Sequence, residues 1–146
     1  MKVAVSTASD IQLDMTVPSR TQYLSLVGNI GEEIAQALDP YHGDRNMLAF
    51  TLNLVLTEAV TNAIKYTGSH SANHPVRIKI LFHRNELLIQ VYDHGQGFDL
   101  DVVRDSDLDQ PREGGLGIFL IRTFMDSVAY RKIKDGNILE MRKKLA

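Results

Sequence analysis

Apolar residues recur at two different spacings along the chain, and the order of these spacings constrains the fold more than any other feature. Every second residue is apolar in short stretches, as in a strand with one buried face. Those stretches lie at residues 11–17, 76–82 and 87–93, and two further strands are predicted near 127–134 and 138–143, separated by a turn at DGN. Helical spacing marks three longer segments, at residues 23–38, 48–63 and 114–126. This order predicts an α/β (α+β) two-layer sandwich, in which a mixed, mostly antiparallel sheet carries three helices on one face.

Composition limits the kinds of protein that this chain can be. Its 146 residues are enough for a single domain with a sizeable core. A formal net charge of −2 gives no reason to expect binding to nucleic acid or to an anionic membrane. Cysteine is absent, which excludes disulfides and thiol chemistry. No apolar run reaches the roughly 20 residues that span a bilayer, and the polar start MKVAVSTASD is unlike a signal peptide, so we expect a cytoplasmic protein.

The second helical segment carries three polar residues within about two turns, among its core positions. The stretch TEAVTNAIKYT carries Glu58, Asn62 and Lys65 beside core positions. These residues are four and three positions apart, so a helix brings them onto a common side. A carboxylate, an amide and an ammonium group grouped beside a core indicate a candidate binding or catalytic site.

The strand LLIQVYD ends with a carboxylate at a core position. Asp93 shares one face of this strand with Ile89 and Val91. A carboxylate at the edge of a core is costly unless hydrogen-bond donors face it. Gly95 and Gly97 follow in HGQG and allow the backbone to pass close to whatever lies against Asp93. The alternative is a plain Asp-Gly turn that leaves the strand.

A second glycine cluster, EGGLG at residues 113–117, opens the third helix. Glycines leave the unpaired amide groups of a helix N-terminus accessible, which suits a phosphate group. The alternative is a flexible hinge ahead of a buried helix. The chain contains neither the G-x-x-x-x-G-K-[ST] pattern nor a complete dinucleotide fingerprint.

The segment that joins the two glycine clusters is acidic and poor in apolar anchors. Residues 98–113, FDLDVVRDSDLDQPRE, contain six acids and two arginines. Such a segment is either a solvated loop or a mobile lid. Its position between the glycine clusters favours a lid.

Three of these motifs together resemble a known family. TEAVTNAIKYT, DHGQG and EGGLGIFLIRTFMD are similar to the N, G1 and G2 boxes of GHKL-type ATP-binding domains, in the same order and at similar spacing. With VPSR before the first helix and AYRKIKDGNILEMRKKL at the end, nearly the whole chain resembles the anti-sigma-factor serine kinases of the RsbW and SpoIIAB type. The resemblance implies a Bergerat-type ATP-binding fold with ATP and Mg²⁺ as cofactors.

The same resemblance implies a role for each candidate residue. Asn62 would supply an oxygen to Mg²⁺, and Asp93 would accept the adenine amino group. Gly95 and Gly97 would let the backbone pass the purine. Lys65 would add a charge near the phosphates, unless it is simply a solvated helix lysine. The phosphates themselves would meet the glycine cluster at Gly114, Gly115, Leu116 and Gly117.

The last turn departs from the pattern of the family. Relatives usually place a threonine after the glycine of this turn, where it assists adenine recognition. Here Asn137 and Ile138 follow Gly136. Asparagine can also form hydrogen bonds, so this departure is compatible with nucleotide binding.

Glu58 distinguishes between the relatives. Similar domains of sensor histidine kinases usually carry asparagine at the position of Glu58. A serine hydroxyl must give up a proton when it attacks, whereas a neutral imidazole does not, so a glutamate favours transfer to serine. The chain also leaves no room for a long dimerisation helix pair with a phosphoacceptor histidine.

These features lead to one hypothesis with two alternatives. The chain is interpreted as an ATP- and Mg²⁺-dependent protein-serine/threonine kinase of the anti-sigma type, with Glu58 as the catalytic residue. The resemblance implies two partners, a sigma factor or equivalent regulator and a STAS-domain antagonist that would be phosphorylated, and a possible homodimer. The alternatives are a nucleotide-gated binding module without significant transfer and a histidine-kinase-like ATPase domain.

Overall fold

The computed structural model describes residues 10–39, 41–67, 74–95 and 113–145. Five strands and three α-helices lie within these ranges, in the predicted order, and a short 3₁₀ helix at Thr21–Tyr23 precedes the first α-helix. They are β1 (Ile11–Val17), α1 (Leu24–Ala37), α2 (Arg45–Thr67), β2 (Val76–His83), β3 (Glu86–Asp93), α3 (Glu113–Phe124), β4 (Ser127–Ile133) and β5 (Gly136–Lys144). The segment predicted to be a lid, residues 98–113, lies outside the described residues except for Glu113.

The five strands form one sheet in the order β1-β2-β3-β5-β4. All four neighbouring pairs in this sheet are antiparallel. The predicted fold class is confirmed, although the sequence had suggested a mixed sheet. The sheet is fully antiparallel because the β4–β5 hairpin places β5 between β3 and β4, so β3 and β4, which run in the same direction, are not neighbours.

The helices cover one face of the sheet. Alternate residues of the central strands point into this layer, as the period of two in the sequence predicts. The buried residues of this face include Ile78, Ile80, Ile89, Val91, Leu139 and Met141. The opposite face is charged, and on it Arg77 and Asp14 form an ion pair of 2.7 Å between β2 and β1. The core therefore lies between the sheet and the helices.

Two glycines allow α1 to pack closely against α2. A Cβ atom at Gly28 would come within 2.8 Å of Asn53 Oδ1, and one at Gly31 within 2.7 Å of Leu56 Cδ1. Larger residues would force the helices apart. This close packing holds α2, which carries three of the candidate site residues, in position on the sheet.

The same helix bears on the expectation that no segment spans a membrane. Residues Arg45–Lys65 of α2 are long and apolar enough to cross a bilayer by length and composition alone. In the fold, however, Leu52, Val55 and Leu56 are at most 1% exposed. The central helix of a soluble protein core passes the same test, and the burial of α2 against α1 and the sheet is of that kind.

Candidate functional site

Asp93 ends β3 on the helix-covered face of the sheet, where it is 5% exposed. Its Oδ1 atom accepts hydrogen bonds from the backbone N–H of Gly95 at 2.8 Å and from Asn137 Nδ2 at 2.9 Å. Its Oδ2 atom accepts a hydrogen bond from the Tyr130 hydroxyl at 2.9 Å. Asn137 Nδ2 also donates to the carbonyl oxygen of Gly95 at 2.8 Å. These four residues form the Asp93 cluster, in which three donors hold the carboxylate in one orientation.

Strand register and a close backbone approach explain why this cluster forms. The pairing of β3 with β5 places Asp93 directly opposite Asn137. The alternation that buries Ile89 and Val91 continues to Asp93, so its side chain points to the same face. At Gly136, a Cβ atom would overlap the backbone carbonyl oxygen of Asp93. A glycine at this position therefore permits the approach of the two strand ends.

A second group of polar atoms lies where α2 meets α3. Glu58 and Asn62 are one turn apart on α2, and Gly117 of α3 faces both. A Cβ atom at Gly117 would lie 2.6 Å from Glu58 Oε2 and 3.7 Å from Asn62 Nδ2. These three residues form the Glu58 cluster. The missing side chain at Gly117 leaves the carboxylate and the amide directly beside the backbone of α3.

Burial changes the acidity of Glu58. Desolvation disfavours the charged carboxylate and raises the pKa of Glu58 above the ordinary value of 4.5. The ionised carboxylate is therefore a stronger proton acceptor than an exposed glutamate.

The amide of Asn62 is buried and incompletely paired. Asn62 is 4% exposed, and its Nδ2 atom has no hydrogen-bond partner in the described part of the chain. An unpaired buried donor costs about 1–3 kcal/mol, so it is expected to face a ligand. The amide can donate to a phosphate oxygen, or after a half-turn it can present its oxygen to a metal ion. This donor set fits Mg²⁺, which binds few protein oxygens and takes its other ligands from water and phosphates.

The remaining predicted residues lie near these two clusters or outside the described ranges. Gly95 belongs to the Asp93 cluster, and Lys65 is exposed one turn beyond Asn62 at the end of α2. The first turn of α3 includes Gly114, Gly115 and Leu116, directly before Gly117. Gly97 falls outside the described residues.

Two members of the Asp93 cluster were not among the predicted site residues. Asn137 was recognised only as a departure from the family pattern, because its partner depends on the β3–β5 register. Tyr130 was missed, because it reaches Asp93 from β4 across β5. The available signal was the pattern of β4, in which Val128 and Tyr130 are half-buried in an otherwise exposed strand.

Known proteins share both the sequence and the fold of this chain. The family model described as a histidine kinase-like ATPase domain matches residues 17–143. The serine-protein kinase RsbW of Halalkalibacterium halodurans is 30% identical over 139 residues, which cover 90% of this chain and 82% of that protein. The serine-protein kinase RsbW of Staphylococcus aureus is 29% identical over 141 residues, which cover 90% of this chain and 85% of that protein.

A solved structure agrees with this grouping at the level of the fold. The SiaB–SiaC complex from Pseudomonas aeruginosa contains a chain that matches with a TM-score of 0.60 at 14% identity, covering 90% of this chain and 87% of that one. The predicted family is confirmed, and membership in an ATPase family implies the use of ATP. The chain belongs to the histidine kinase-like ATPase domain family, in the group of RsbW-type anti-sigma-factor serine kinases.

Proposed function

We propose that this protein is an ATP- and Mg²⁺-dependent protein-serine/threonine kinase that acts in a partner-switching pathway. The observation that carries this proposal is the Glu58 cluster, where a carboxylate of raised pKa lies beside a buried amide and the first turns of a helix. Phosphoryl transfer requires mainly positioning and charge stabilisation. The cluster contains groups suited to both tasks.

The Asp93 cluster is proposed to bind the base of ATP. Among the described residues, one donor, the Tyr130 hydroxyl, bonds to Asp93 Oδ2, so this oxygen can accept a further hydrogen bond. The amino group of adenine is a donor of the required kind. The backbone at Gly95 and Gly97 would pass beside the purine. The Gly95 N–H also donates a hydrogen bond to the Asp93 carboxylate, which would bind the adenine amino group.

The Glu58 cluster and the start of α3 are proposed to bind the phosphates and the metal ion. Asn62 would hold Mg²⁺ through its side-chain oxygen. When bound, Mg²⁺ neutralises the charge that develops on the phosphate oxygens. The amide groups at the start of α3, from Gly114 and Gly115 through Leu116 to Gly117, would contact the phosphates, because a helix N-terminus favours anions. Lys65 would add a positive charge one turn beyond Asn62.

Glu58 is proposed to be the catalytic residue. The hydroxyl of an acceptor serine or threonine would donate a hydrogen bond to the Glu58 carboxylate. Glu58 would take the proton as the oxygen attacks the γ-phosphorus and the bond to the leaving ADP oxygen breaks. Desolvation supports this role, because it raises the pKa of Glu58 and makes the carboxylate a better base.

Relatives suggest the identity of the partners. We propose that the protein binds a sigma factor or an equivalent regulator in the cytoplasm and phosphorylates a STAS-domain antagonist. The similarity to serine-protein kinases named RsbW supports this assignment. The likeness to a chain of the SiaB–SiaC complex supports the fold on which such a partner would dock. A homodimer is a further proposal that follows from the family.

The test is transfer of labelled γ-phosphate from ATP, with Mg²⁺, to purified STAS-domain proteins encoded in the same genome. We expect acid-stable label on serine or threonine of one of them, lost with Glu58→Gln and kept with Glu33→Gln, an exposed glutamate on α1. Acid-labile label on histidine would instead indicate a histidine-kinase-like enzyme. ATP binding with no transfer to any of these proteins would indicate a nucleotide-gated binding module.

A further inference from the structure

Tyr130 is a polar contact of Asp93 that the proposed function does not use. It lies on β4, one of the two edge strands, and pairs with Leu139 of β5. Its side chain passes over β5 to β3, where its hydroxyl donates to Asp93 Oδ2 at 2.9 Å. The other carboxylate oxygen, Oδ1, already accepts two hydrogen bonds.

The number of hydrogen bonds that the Asp93 carboxylate can accept determines where a ligand donor can bind. Each carboxylate oxygen has two lone pairs, so the two donors on Oδ1 occupy that atom fully. A donor from a ligand must therefore use Oδ2. There it shares the oxygen with the Tyr130 hydroxyl or replaces it.

We propose that Tyr130 is an internal hydrogen-bond donor that stabilises the free protein and lowers its affinity for adenine nucleotides. This inference rests on the proposed role of Asp93 as the acceptor of the adenine amino group. A hydrogen bond from a hydroxyl to a carboxylate is stronger than one between neutral groups. An arriving amino group therefore adds less free energy to a carboxylate that already holds this bond than to one that lacks it.

Removing the hydroxyl changes the free and the bound protein unequally. Without Tyr130 Oη, Oδ2 of the buried Asp93 loses this donor in the free protein. In the complex, the amino group of the base supplies a donor to the same oxygen. The free protein is destabilised more than the complex, so binding becomes tighter while the free protein becomes less stable. A purely structural role of Tyr130 predicts that stability and affinity both fall.

The test compares Tyr130→Phe with the wild type by calorimetric titration with ADP and by thermal unfolding without nucleotide. We expect the Kd for ADP to fall about 3- to 10-fold. The Tm of the free protein should fall by about 2–6 °C. The gain in affinity should be absent with inosine diphosphate, which has a carbonyl where adenine has its amino group.

A matched control lies on the neighbouring residue of β3. Tyr92 has its hydroxyl 3.4 Å from Gln90 Oε1 and lies on the opposite face of the sheet from Asp93. Tyr92→Phe should leave the affinity for ADP unchanged. If Tyr130→Phe does not fold, Tyr130→Met removes the same hydroxyl and fills the space with a flexible apolar side chain.

The outcomes separate this inference from the proposed function. Unchanged or weaker ADP binding by Tyr130→Phe, with wild-type binding that depends on Asp93, would overturn the role of Tyr130 alone. An equal gain with inosine diphosphate would also overturn it. Failure of the folded wild type to bind ADP would contradict the proposed function itself.

Discussion

The Asp93 cluster and the Glu58 cluster differ in how their buried polar atoms are paired. Each contains a buried asparagine. Asn137 is 2% exposed and its Nδ2 atom makes two hydrogen bonds, to Asp93 and Gly95. Asn62 is 4% exposed and its Nδ2 atom has no partner in the described part of the chain.

This difference in pairing suggests different contributions of the two clusters, one to stability and the other to phosphoryl transfer. Three donors of the protein already hold the Asp93 carboxylate, so this region contributes to the stability of the fold before a ligand binds. The Glu58 cluster leaves polar atoms to be completed by a ligand, so it contributes reactivity at some cost to stability. Substitutions in the two clusters should therefore separate into effects on stability and effects on phosphoryl transfer.

The largest expected effect is the loss of transfer in Glu58→Gln. The variant keeps the shape of the side chain and removes the proton acceptor, so the rate should fall about 10²- to 10⁴-fold. The affinity for ADP should stay within about twofold, because this effect is confined to the transition state. Glu33→Gln on α1 is the matched control. A rate within a few-fold of wild type would mean that Glu58 is not the base.

The second largest expected effect is a lower transfer rate when the Glu58 carboxylate is displaced. In Gly117→Ala the new Cβ atom would lie 2.6 Å from Glu58 Oε2, the end of a flexible side chain that can move away. Such displacement should lower the transfer rate about 10- to 100-fold. The unfolding midpoint should change little. If Gly117→Ala lowered the unfolding midpoint sharply and left the transfer rate unchanged, the Glu58 cluster would contribute to stability rather than to transfer.

The same substitution, Asn to Ala, at the two buried asparagines compares the two clusters directly. Asn137→Ala removes two hydrogen bonds inside a buried cluster, one to Asp93 Oδ1 and one to the carbonyl oxygen of Gly95, so the free energy of unfolding should fall by about 1–3 kcal/mol. Asn62→Ala removes an amide whose donor has no partner, so the free energy of unfolding should fall by less than about 0.5 kcal/mol or should rise.

Denaturant titration without nucleotide measures both effects. Equal losses of stability in Asn137→Ala and Asn62→Ala would mean that the two clusters do not differ in the way described. The affinity for Mg·ADP should show the reverse contrast, because Asn62 is the proposed metal ligand.

The smallest expected effect is a shift in the pH dependence of transfer. Glu58 must be ionised to accept a proton, and desolvation raises its pKa above 4.5. The rate should therefore rise with pH through a midpoint above that ordinary value. The contribution of Glu58 to folding stability changes with pH in the opposite direction. A carboxyl whose pKa is raised by folding stabilises the fold at low pH, and this contribution is lost as pH rises through the raised pKa. A rate midpoint at or below 4.5 would show that Glu58 is not desolvated when it acts.

The sequence predicted the parts of the site that depend on one element. Glu58 and Asn62 lie on one helix, so their spacing of four residues sufficed to place them together. Asp93 was predicted to be buried because the alternation of a single strand extends to it. The order and nearly all the boundaries of the strands and helices followed in the same way from apolar spacing.

Contacts between elements could not be read from local patterns. The approach of Gly117 to Glu58 depends on how α2 and α3 pack. The pairing of Asp93 with Asn137 depends on β5 entering the sheet between β3 and β4. Tyr130 requires the register of a further strand, and no single-strand pattern predicts that its hydroxyl reaches Asp93.

The central claim is that the two clusters form the two ends of one nucleotide site. Calorimetric titration of ADP, with and without Mg²⁺, into the wild type, Asp93→Asn and Asn62→Ala tests it directly. We predict micromolar-range binding that Mg²⁺ strengthens in the wild type, loss of binding in Asp93→Asn, and binding in Asn62→Ala that no longer responds to Mg²⁺. Wild-type affinity in a folded Asp93→Asn protein, or an unchanged response to Mg²⁺ in Asn62→Ala, would contradict the claim.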